Sequence, residues 1–198
     1  MSTFVLATHN QHKVDEFRNI LAASVPGFVL ISYDGPEPVE DGDSFAANAL
    51  IKARAAAVHS GLPAMADDSG LSVDALDGAP GVLSARWAGE PKSDARNLAR
   101  VLEQLEDVAD AQRGASFVCC IAVVYPGTDD QGPREFTVEA HWPGRLTREP
   151  RGAFGFGYDP IFVPEGHDVT SAELEPALKN ELSHRARALA LVAERLNG

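Results

Sequence analysis

The chain has 198 residues, of which 44% are hydrophobic and 23% charged, as in a globular protein with one core or two lobes sharing a sheet. Its formal net charge of −12 excludes a long surface for nucleic acid or for an anionic membrane, because such surfaces need a basic stripe. No apolar run approaches the roughly 18 residues that span a bilayer, and residues 1–8 lack the basic region of a signal peptide. We therefore expect a cytoplasmic protein.

The first 75 residues alternate between strand and helix patterns. Short apolar runs predict strands at residues 4–7, 28–33 and 62–66, while helical spacing of apolar residues predicts helices over 14–21 and 45–59. Ser44 is expected to cap the second helix and Gly61 to close it. Residues 66–71 read Ala-Asp-Asp-Ser-Gly-Leu, which we interpret as a strand end and a glycine turn before another strand at 71–75.

The remaining residues continue the same α/β pattern. A helix is predicted over 94–105, two longer strands over 115–125 and 134–142, and a final helix that Ser183 caps. Residues 170–173 have the form of a capping box. Cys119 and Cys120 are neighbours in a strand, so their side chains should point to opposite faces as reduced, buried thiols. Residues 1–198 are predicted to form a single α/β domain.

Two polar clusters follow predicted strands in the first half of the chain. The first runs from Thr8 to Lys13 at a strand-to-helix junction, where backbone N–H groups and a lysine favour a phosphate. Its alternative interpretation is a simple helix cap with a solvated lysine, and the lack of a third His or Cys nearby disfavours a zinc site at His9 and His12. The second joins residues 39–45, which overlap an acidic loop at 34–43, to Asp67 and Asp68, whose oxygens suit Mg²⁺. An acidic loop before a helix can equally be dipole complementarity alone.

Two further clusters lie in the second half. In residues 155–160 glycines let the backbone approach a ligand and aromatic rings offer a stacking face, but no helix follows as a dinucleotide-binding motif requires. Lys179 stands near Ser183, His184 and Arg185, and the last two fall in the first turn of a helix, where the helix dipole disfavours cations. That placement indicates a role facing a ligand.

Six motifs in order resemble the inosine triphosphate pyrophosphatase family. They are T-x-N-x-x-K, E-x-G-x-S-F, A-D-D-S-G-L, G-A-P-G-V-x-S-A-R-W, F-G-Y-D-P-I-F and S-H-R, and they run through nearly the whole chain. The resemblance implies an elongated, two-lobed α/β fold with a long mixed β-sheet flanked by helices, an active-site cleft between the lobes, and a homodimer. It also implies hydrolysis of non-standard purine nucleoside triphosphates (ITP, dITP, XTP, dXTP) to the monophosphate and pyrophosphate, cleansing the nucleotide pool.

The resemblance also implies roles for individual residues. Glu40 and Asp68 would bind Mg²⁺, with Asp68 as the proton acceptor, and Lys13 would be the main cation for the triphosphate. The remaining substrate-binding residues would be Thr8, His9, Asn10, Gln11, His12, Ser69, Phe156, Gly157, Tyr158, Asp159, Lys179, His184 and Arg185. Phe156 would stack on the base, while Lys179, His184 and Arg185 would close over its 6-oxo group. The chain departs from the family pattern at His9, where glycine or another small residue is common.

Two rival functions remain open at this point. One is a related pyrophosphatase acting on standard or modified pyrimidine nucleotides, which the S-H-R and F-G-Y-D-P elements disfavour. The other is a catalytically silent nucleotide-binding dimer, which the joint presence of Lys13, Glu40, Asp67 and Asp68 disfavours. Donors aimed at a 6-oxo oxygen would be left unpaired by an adenine amino group, and such a site rejects the wrong base strongly.

Overall fold

The computed structural model describes residues 2–127 and 132–198, with Ser2 and His12 described by their backbone alone. The strands in these residues are β1 (Ser2–Leu6), β2 (Phe28–Ser32), β3 (Ala64–Val73), β4 (Gly114–Tyr125), β5 (Arg134–Leu146) and β6 (Phe162–Pro164). The helices are α1 (Gln11–Ser24), α2 (Phe45–Ser60), α3 (Asp94–Gln104), α4 (Pro176–Leu182) and α5 (His184–Asn197). In this part of the chain no helix has the length and apolar character needed to cross a membrane.

The strands form one mixed sheet in the order β2-β1-β3-β4-β5-β6. β1 pairs in parallel with both β2 and β3, as α/β crossovers require, whereas β5 and β6 pair antiparallel. The predicted α/β class with a mixed sheet and flanking helices is therefore confirmed.

β3 corrects the prediction of a turn after Asp68. Ala64–Val73 is one continuous strand of ten residues, so Gly70 lies inside this strand and does not end it. A Cβ placed on Gly70 would collide with Ser84 Oγ and with the Gly81 carbonyl oxygen, which shows that the glycine serves a close approach of another segment. Ser84 Oγ in turn accepts a hydrogen bond from the Leu71 backbone N–H (2.9 Å).

The chain divides into two compact units, each described here by itself. The first comprises Met1–Asp68, Cys119–Ala140 and Ala186–Gly198. Its strands separate two apolar layers, because neighbouring strand residues point to opposite faces. One layer packs Phe17 of α1 and Leu189 of α5 with Cys119, while the other packs the alanines of α2 with Cys120. Both thiols are free and buried, as the sequence predicts.

The second unit comprises Ser69–Val118 and His141–Arg185. Its core joins Leu98 and Val101 of α3 to aromatic and aliphatic residues of β5 and β6, among them Trp142 and Phe162. The predicted capping box is half correct. The Thr170 N–H donates to the Glu173 carboxylate (2.7 Å), but residues 171–173 form a turn and the next helix begins only at Pro176.

Candidate active site

The loop between β1 and α1 carries the predicted phosphate-binding residues. Asn10 caps the helix, since its Oδ1 accepts from the Lys13 N–H (3.4 Å), and its own N–H donates to Thr8 Oγ1 (3.2 Å). Gln11 Nε2 donates to Asp15 Oδ1 (3.0 Å) on the first turn. The side chain of His12 lies outside the described part of the structure. The loop is thus ordered locally by short polar side chains, in a form that leaves Lys13 on the first turn of α1.

Lys13 is held by Asp67 of β3. Its Nζ lies 3.0 Å and 2.9 Å from the two oxygens of the Asp67 carboxylate, which is almost completely buried. An ammonium group carries three donors, and at most two of them point at this carboxylate. Lys13 is therefore an oriented cation that retains donor capacity for a phosphate oxygen.

A second lysine joins the two predicted metal ligands. Lys52 Nζ on α2 lies 3.0 Å from Glu40 Oε1 and 3.8 Å from Asp68 Oδ1. Glu40 lies in the acidic loop before α2, whereas Asp68 lies on β3. The structure thus brings together Glu40 and Asp68, which are 28 positions apart in the sequence, around one cation.

Asn48 orients Asp68 and the acidic loop at once. Its Nδ2 donates to Asp68 Oδ2 (3.0 Å), and its Oδ1 accepts from the Gly42 N–H (2.9 Å). Asn48 is 1% exposed, so both bonds are made in a dry environment where they are hard to replace by water. Asp68 is thereby held in one orientation.

The pKa values of this cluster suit a proton acceptor. Burial raises the pKa of Asp68, and the charges of Glu40 and Asp67 raise it further, while Lys52 and the Asn48 hydrogen bond oppose the rise. Burial by itself would lower the pKa of Lys52, but the three carboxylates outweigh it and the net pKa of Lys52 is raised. Lys52 therefore stays charged, and Asp68 is more basic than an ordinary aspartate.

Replacing Asn48 by alanine should move the acid limb of the pH profile of kcat/KM to higher pH. The Asn48 amide favours the ionised form of Asp68, so its loss raises the pKa of Asp68 further. A base with a higher pKa is protonated, and hence inactive, over a wider acid range. The matched control is Asn97→Ala, which removes a buried asparagine of the second unit whose Oδ1 accepts from the Ala88 N–H. An unmoved acid limb in Asn48→Ala would contradict the assignment of Asp68 as the base.

A cavity of about 130 Å³ opens beside these groups. Its lining residues lie between β1 and α1, on α1, between β2 and α2, on α2 and on β3: Ala7, Thr8, Lys13, Tyr33, Glu37, Pro38, Glu40, Lys52 and Asp67. A water molecule takes up about 30 Å³ of liquid, so the cavity has room for several water-sized ligand atoms. It is polar, and both lysines reach it.

The second unit carries the predicted base-binding residues around a buried carboxylate. Asp159 Oδ2 accepts from the Phe156 N–H (2.8 Å) and from Lys179 Nζ (2.5 Å), and Asp159 Oδ1 accepts from Ser171 Oγ (2.8 Å). The Gly157 N–H donates to Asp94 Oδ2 (3.0 Å). Asp159 therefore holds the aromatic loop, defined as residues 155–158, in place.

The aromatic loop presents one ring to solvent and buries the other. Phe156 is 67% exposed, with Lys179 Nζ 5.2 Å from its ring centroid. Tyr158 is buried instead, and its hydroxyl donates to the Ser84 carbonyl oxygen (2.8 Å). The exposed face of Phe156 is available for stacking, and its contact with a base stays a prediction.

The remaining predicted residues lie in or beside the second unit. His184 stacks on Phe117 with ring centroids 5.0 Å apart, while Ser69, His184 and Arg185 are all half-buried. Arg185 is the last residue of this unit and Ser69 the first. The structure therefore places the triphosphate candidates in the first unit and the base candidates in the second.

The carboxylate set fits a small hard cation. Mg²⁺ is commonly bound through one or two carboxylates together with water and substrate phosphates. Glu40 and Asp68 already share one cationic group, the Lys52 ammonium. Over residues 2–127 and 132–198, no three His, Cys, Asp or Glu side chains are grouped so that they could hold a metal ion. Magnesium binding by Glu40 and Asp68 stays a prediction.

A model of the Ham1 family matches residues 4–195. The chain belongs to the Ham1 family. Among its relatives, the dITP/XTP pyrophosphatase of Leifsonia xyli subsp. xyli is 55% identical over 192 residues, 97% of this chain and 94% of that protein. The dITP/XTP pyrophosphatase of Pseudomonas aeruginosa is 52% identical over 197 residues, 99% and 98% of the two chains. A HAM1 protein from Coxiella burnetii, 43% identical, has a TM-score of 0.90 over 100% of this chain and 99% of its own. The resemblance seen in the motifs is confirmed.

Sequence analysis missed two pairings in this Ham1 family member. It gave Lys52 no role and counted Asp67 among the carboxylates for Mg²⁺, whereas the structure pairs Asp67 with Lys13 and places Lys52 between Glu40 and Asp68. A signal for Lys52 was present, because Asn48 and Lys52 are four residues apart and share one face of α2. The pairing of Asp67 with Lys13 carried no comparable signal, since the two residues are 54 positions apart.

Proposed function

We propose that this protein hydrolyses non-standard purine nucleoside triphosphates (ITP, dITP, XTP and dXTP) to the nucleoside monophosphate and pyrophosphate. The observation that carries the proposal is the cluster of Lys13, Glu40, Lys52, Asp67 and Asp68 beside a polar cavity. Relatives about 50% identical over nearly the whole chain are named dITP/XTP pyrophosphatase, which supports the same reaction class here.

The residues of the first unit divide the chemistry between them. Asp68, held in one orientation by Asn48, accepts the proton of the attacking water. Lys13, oriented by Asp67, donates to the phosphate oxygens and stabilises the charge that develops on the leaving pyrophosphate. Lys52 keeps Glu40 and Asp68 together despite the repulsion of their like charges.

Mg²⁺ is the proposed cofactor, with Glu40 and Asp68 as its protein ligands. The ion supplies charge neutralisation at the phosphates and polarises water. Carboxylate oxygens at these two positions are the donors that a hard cation prefers, which supports the assignment. The raised pKa of Lys52 means that its ammonium remains a second positive charge beside them.

The base is proposed to bind at the aromatic loop of the second unit. Phe156 would stack on the purine, and Lys179, His184 and Arg185 would supply donors to its 6-oxo oxygen. Lys179 supports this role, because Asp159 orients its ammonium group above the Phe156 ring. Donors of this kind favour inosine and xanthosine over adenosine nucleotides.

Replacing Phe156 by alanine should raise KM for every purine triphosphate about tenfold, because stacking of a base on an aromatic ring contributes roughly 1–3 kcal/mol. The ring is largely exposed, so the melting temperature should change little. Steady-state kinetics on ITP and GTP measure the effect. Phe154→Ala is the matched control, since Phe154 is a neighbouring aromatic side chain that is 47% exposed. Equal effects of the two substitutions would argue against a stacking role.

A substrate panel tests the proposed function directly. Inosine, xanthosine, guanosine and adenosine triphosphates, and one pyrimidine triphosphate, are each incubated with the protein and Mg²⁺, and monophosphate and pyrophosphate are quantified. Preference for ITP and XTP with release of pyrophosphate is the expected result. Release of inorganic phosphate, or equal rates on all five nucleotides, would overturn it.

We further propose that the protein acts as a cytoplasmic homodimer. The two buried free thiols suit a reducing compartment, because neither is paired in a disulfide. The proposed substrates also arise in the nucleotide pool of the cell. Sedimentation at several protein concentrations measures the oligomeric state.

A further inference from the structure

We propose that His9 is a positioning residue that clasps the acidic loop and thereby places Glu40 for metal and phosphate binding. This inference rests on the proposed function. The acidic loop is defined here as residues 34–43. The clasp consists of the contacts between the His9 ring and Tyr33, Gly35 and Glu37.

Three contacts define the clasp. His9 Nε2 lies 3.0 Å from the Gly35 carbonyl oxygen, and His9 Nδ1 lies 3.2 Å from Glu37 Oε1. The His9 ring also stacks on Tyr33, with centroids 5.8 Å apart and planes 8° from parallel. A carbonyl and a carboxylate are both acceptors, so the imidazolium form donates to both at once. The ring thus faces the acidic loop through both of its nitrogens.

The residues that His9 contacts are themselves closely packed. Tyr33 is buried, and its hydroxyl donates to the Pro36 carbonyl oxygen (2.9 Å), which folds the chain back over its ring. A Cβ on Gly35 would collide with the Tyr33 hydroxyl and ring, so this close approach requires a glycine. The start of the acidic loop is therefore packed against one aromatic ring and tied to His9.

The far end of the acidic loop is tied to the catalytic cluster. The Gly42 N–H donates to Asn48, and Glu40 binds Lys52. Between these two ends Glu37 and Glu40 line the same cavity as Lys13. Loss of the His9 contacts releases only the end of the acidic loop near Gly35. The clasp therefore restricts the position of Glu40 without contacting it.

¹⁵N relaxation of the backbone amides tests the clasp without substrate or metal. In metal-free protein the order parameters of the amides of Gly35, Glu37, Val39 and Glu40 are compared between the wild type and His9→Ala. Lower order parameters in His9→Ala are expected, because these residues move more freely when the first end of the acidic loop is released. His9→Gln should recover part of the order, since its amide can still donate to the Gly35 carbonyl.

His59 supplies the matched control. Its Nε2 lies 3.2 Å from Asp34 Oδ1, its ring contacts Tyr33 edge-on, and its exposure is close to that of His9. His59→Gln therefore removes a comparable histidine–carboxylate pair from the same segment without touching the loop between β1 and α1. The order parameters of residues 35–40 in His59→Gln should match those of the wild type.

Kinetics then separate positioning from general damage. His9→Ala should raise the half-saturating Mg²⁺ concentration and KM by about 3- to 10-fold, the loss of one or two modest hydrogen bonds, and leave kcat within about twofold. Unchanged order parameters at residues 35–40 in His9→Ala, or the same change in His59→Gln, would overturn the clasp. Failure of the wild type in the substrate panel would instead overturn the proposed function and leave the relaxation comparison valid.

Discussion

Turnover of ITP by Asp68→Asn should fall at least ~10²-fold, the lower range for loss of a general base. The substitution keeps the shape of the side chain but removes the charge that we propose accepts the proton and attracts the cation. Burial raises the pKa of Asp68, so ionisation of this carboxyl lowers the free energy of unfolding. The protein loses this stability as the pH rises through the pKa of Asp68 in the folded state. The neutral asparagine should therefore not lower the melting temperature at pH 7.

The control for this substitution is Asp41→Asn. Asp41 is an exposed carboxylate of the same acidic loop, so the chemical change is identical while its surroundings are not. Single-turnover rates and melting curves are measured on both variants and on the wild type. A folded Asp68→Asn protein with turnover close to that of Asp41→Asn would show that another group accepts the proton.

Lys13→Ala should lower kcat/KM by about 10- to 100-fold, and by the same factor for every nucleoside triphosphate. A hydrogen bond to a charged group contributes roughly 1.5–3 kcal/mol, and each ~1.4 kcal/mol is tenfold. Phosphates carry no information about the base, so the ratio between ITP and GTP should stay constant. The substitution also leaves the buried Asp67 carboxylate lacking this cation, which should lower the melting temperature.

The double variant Lys13→Ala/Asp67→Asn separates these two effects. Removing the buried charge should restore stability, whereas phosphate binding still lacks its lysine, so kcat/KM should stay low. Lys92→Ala, at an exposed lysine, controls for loss of a positive charge anywhere on the protein. Recovery of kcat/KM in the double variant would mean that Lys13 acts through stability alone.

Local signals predicted most elements of the fold. Ser44 caps α2 with its Oγ accepting from the Ala47 N–H, and Gly61 closes that helix in a left-handed conformation, both as expected. The prediction was wrong for β3, because a glycine at position 70 is typical of a turn. This glycine instead permits the close approach of Ser84, a tertiary contact that local sequence patterns do not encode.

Residue types predicted which groups form the site, but not how they pair. Carboxylates at Glu40 and Asp68 indicated a cation site, and the structure brings them together through Lys52. The pairing of Lys13 with Asp67 depends on the parallel register of β1 with β3, which a single sequence leaves undetermined. Magnesium binding and the substrate contacts of the second unit remain predictions.

The acidic residues around the two lysines affect the rate at which a nucleotide reaches the cavity. Acidic side chains outnumber the two ammonium groups around the cavity, and the whole chain carries a net charge of −12. A bare triphosphate therefore approaches a surface of its own sign, in contrast to enzymes whose fields draw anions inward. Added salt screens this repulsion within a Debye length of about 10 Å at 0.1 M. Encounter with the nucleotide should consequently quicken, rather than slow, as ionic strength rises from very low values.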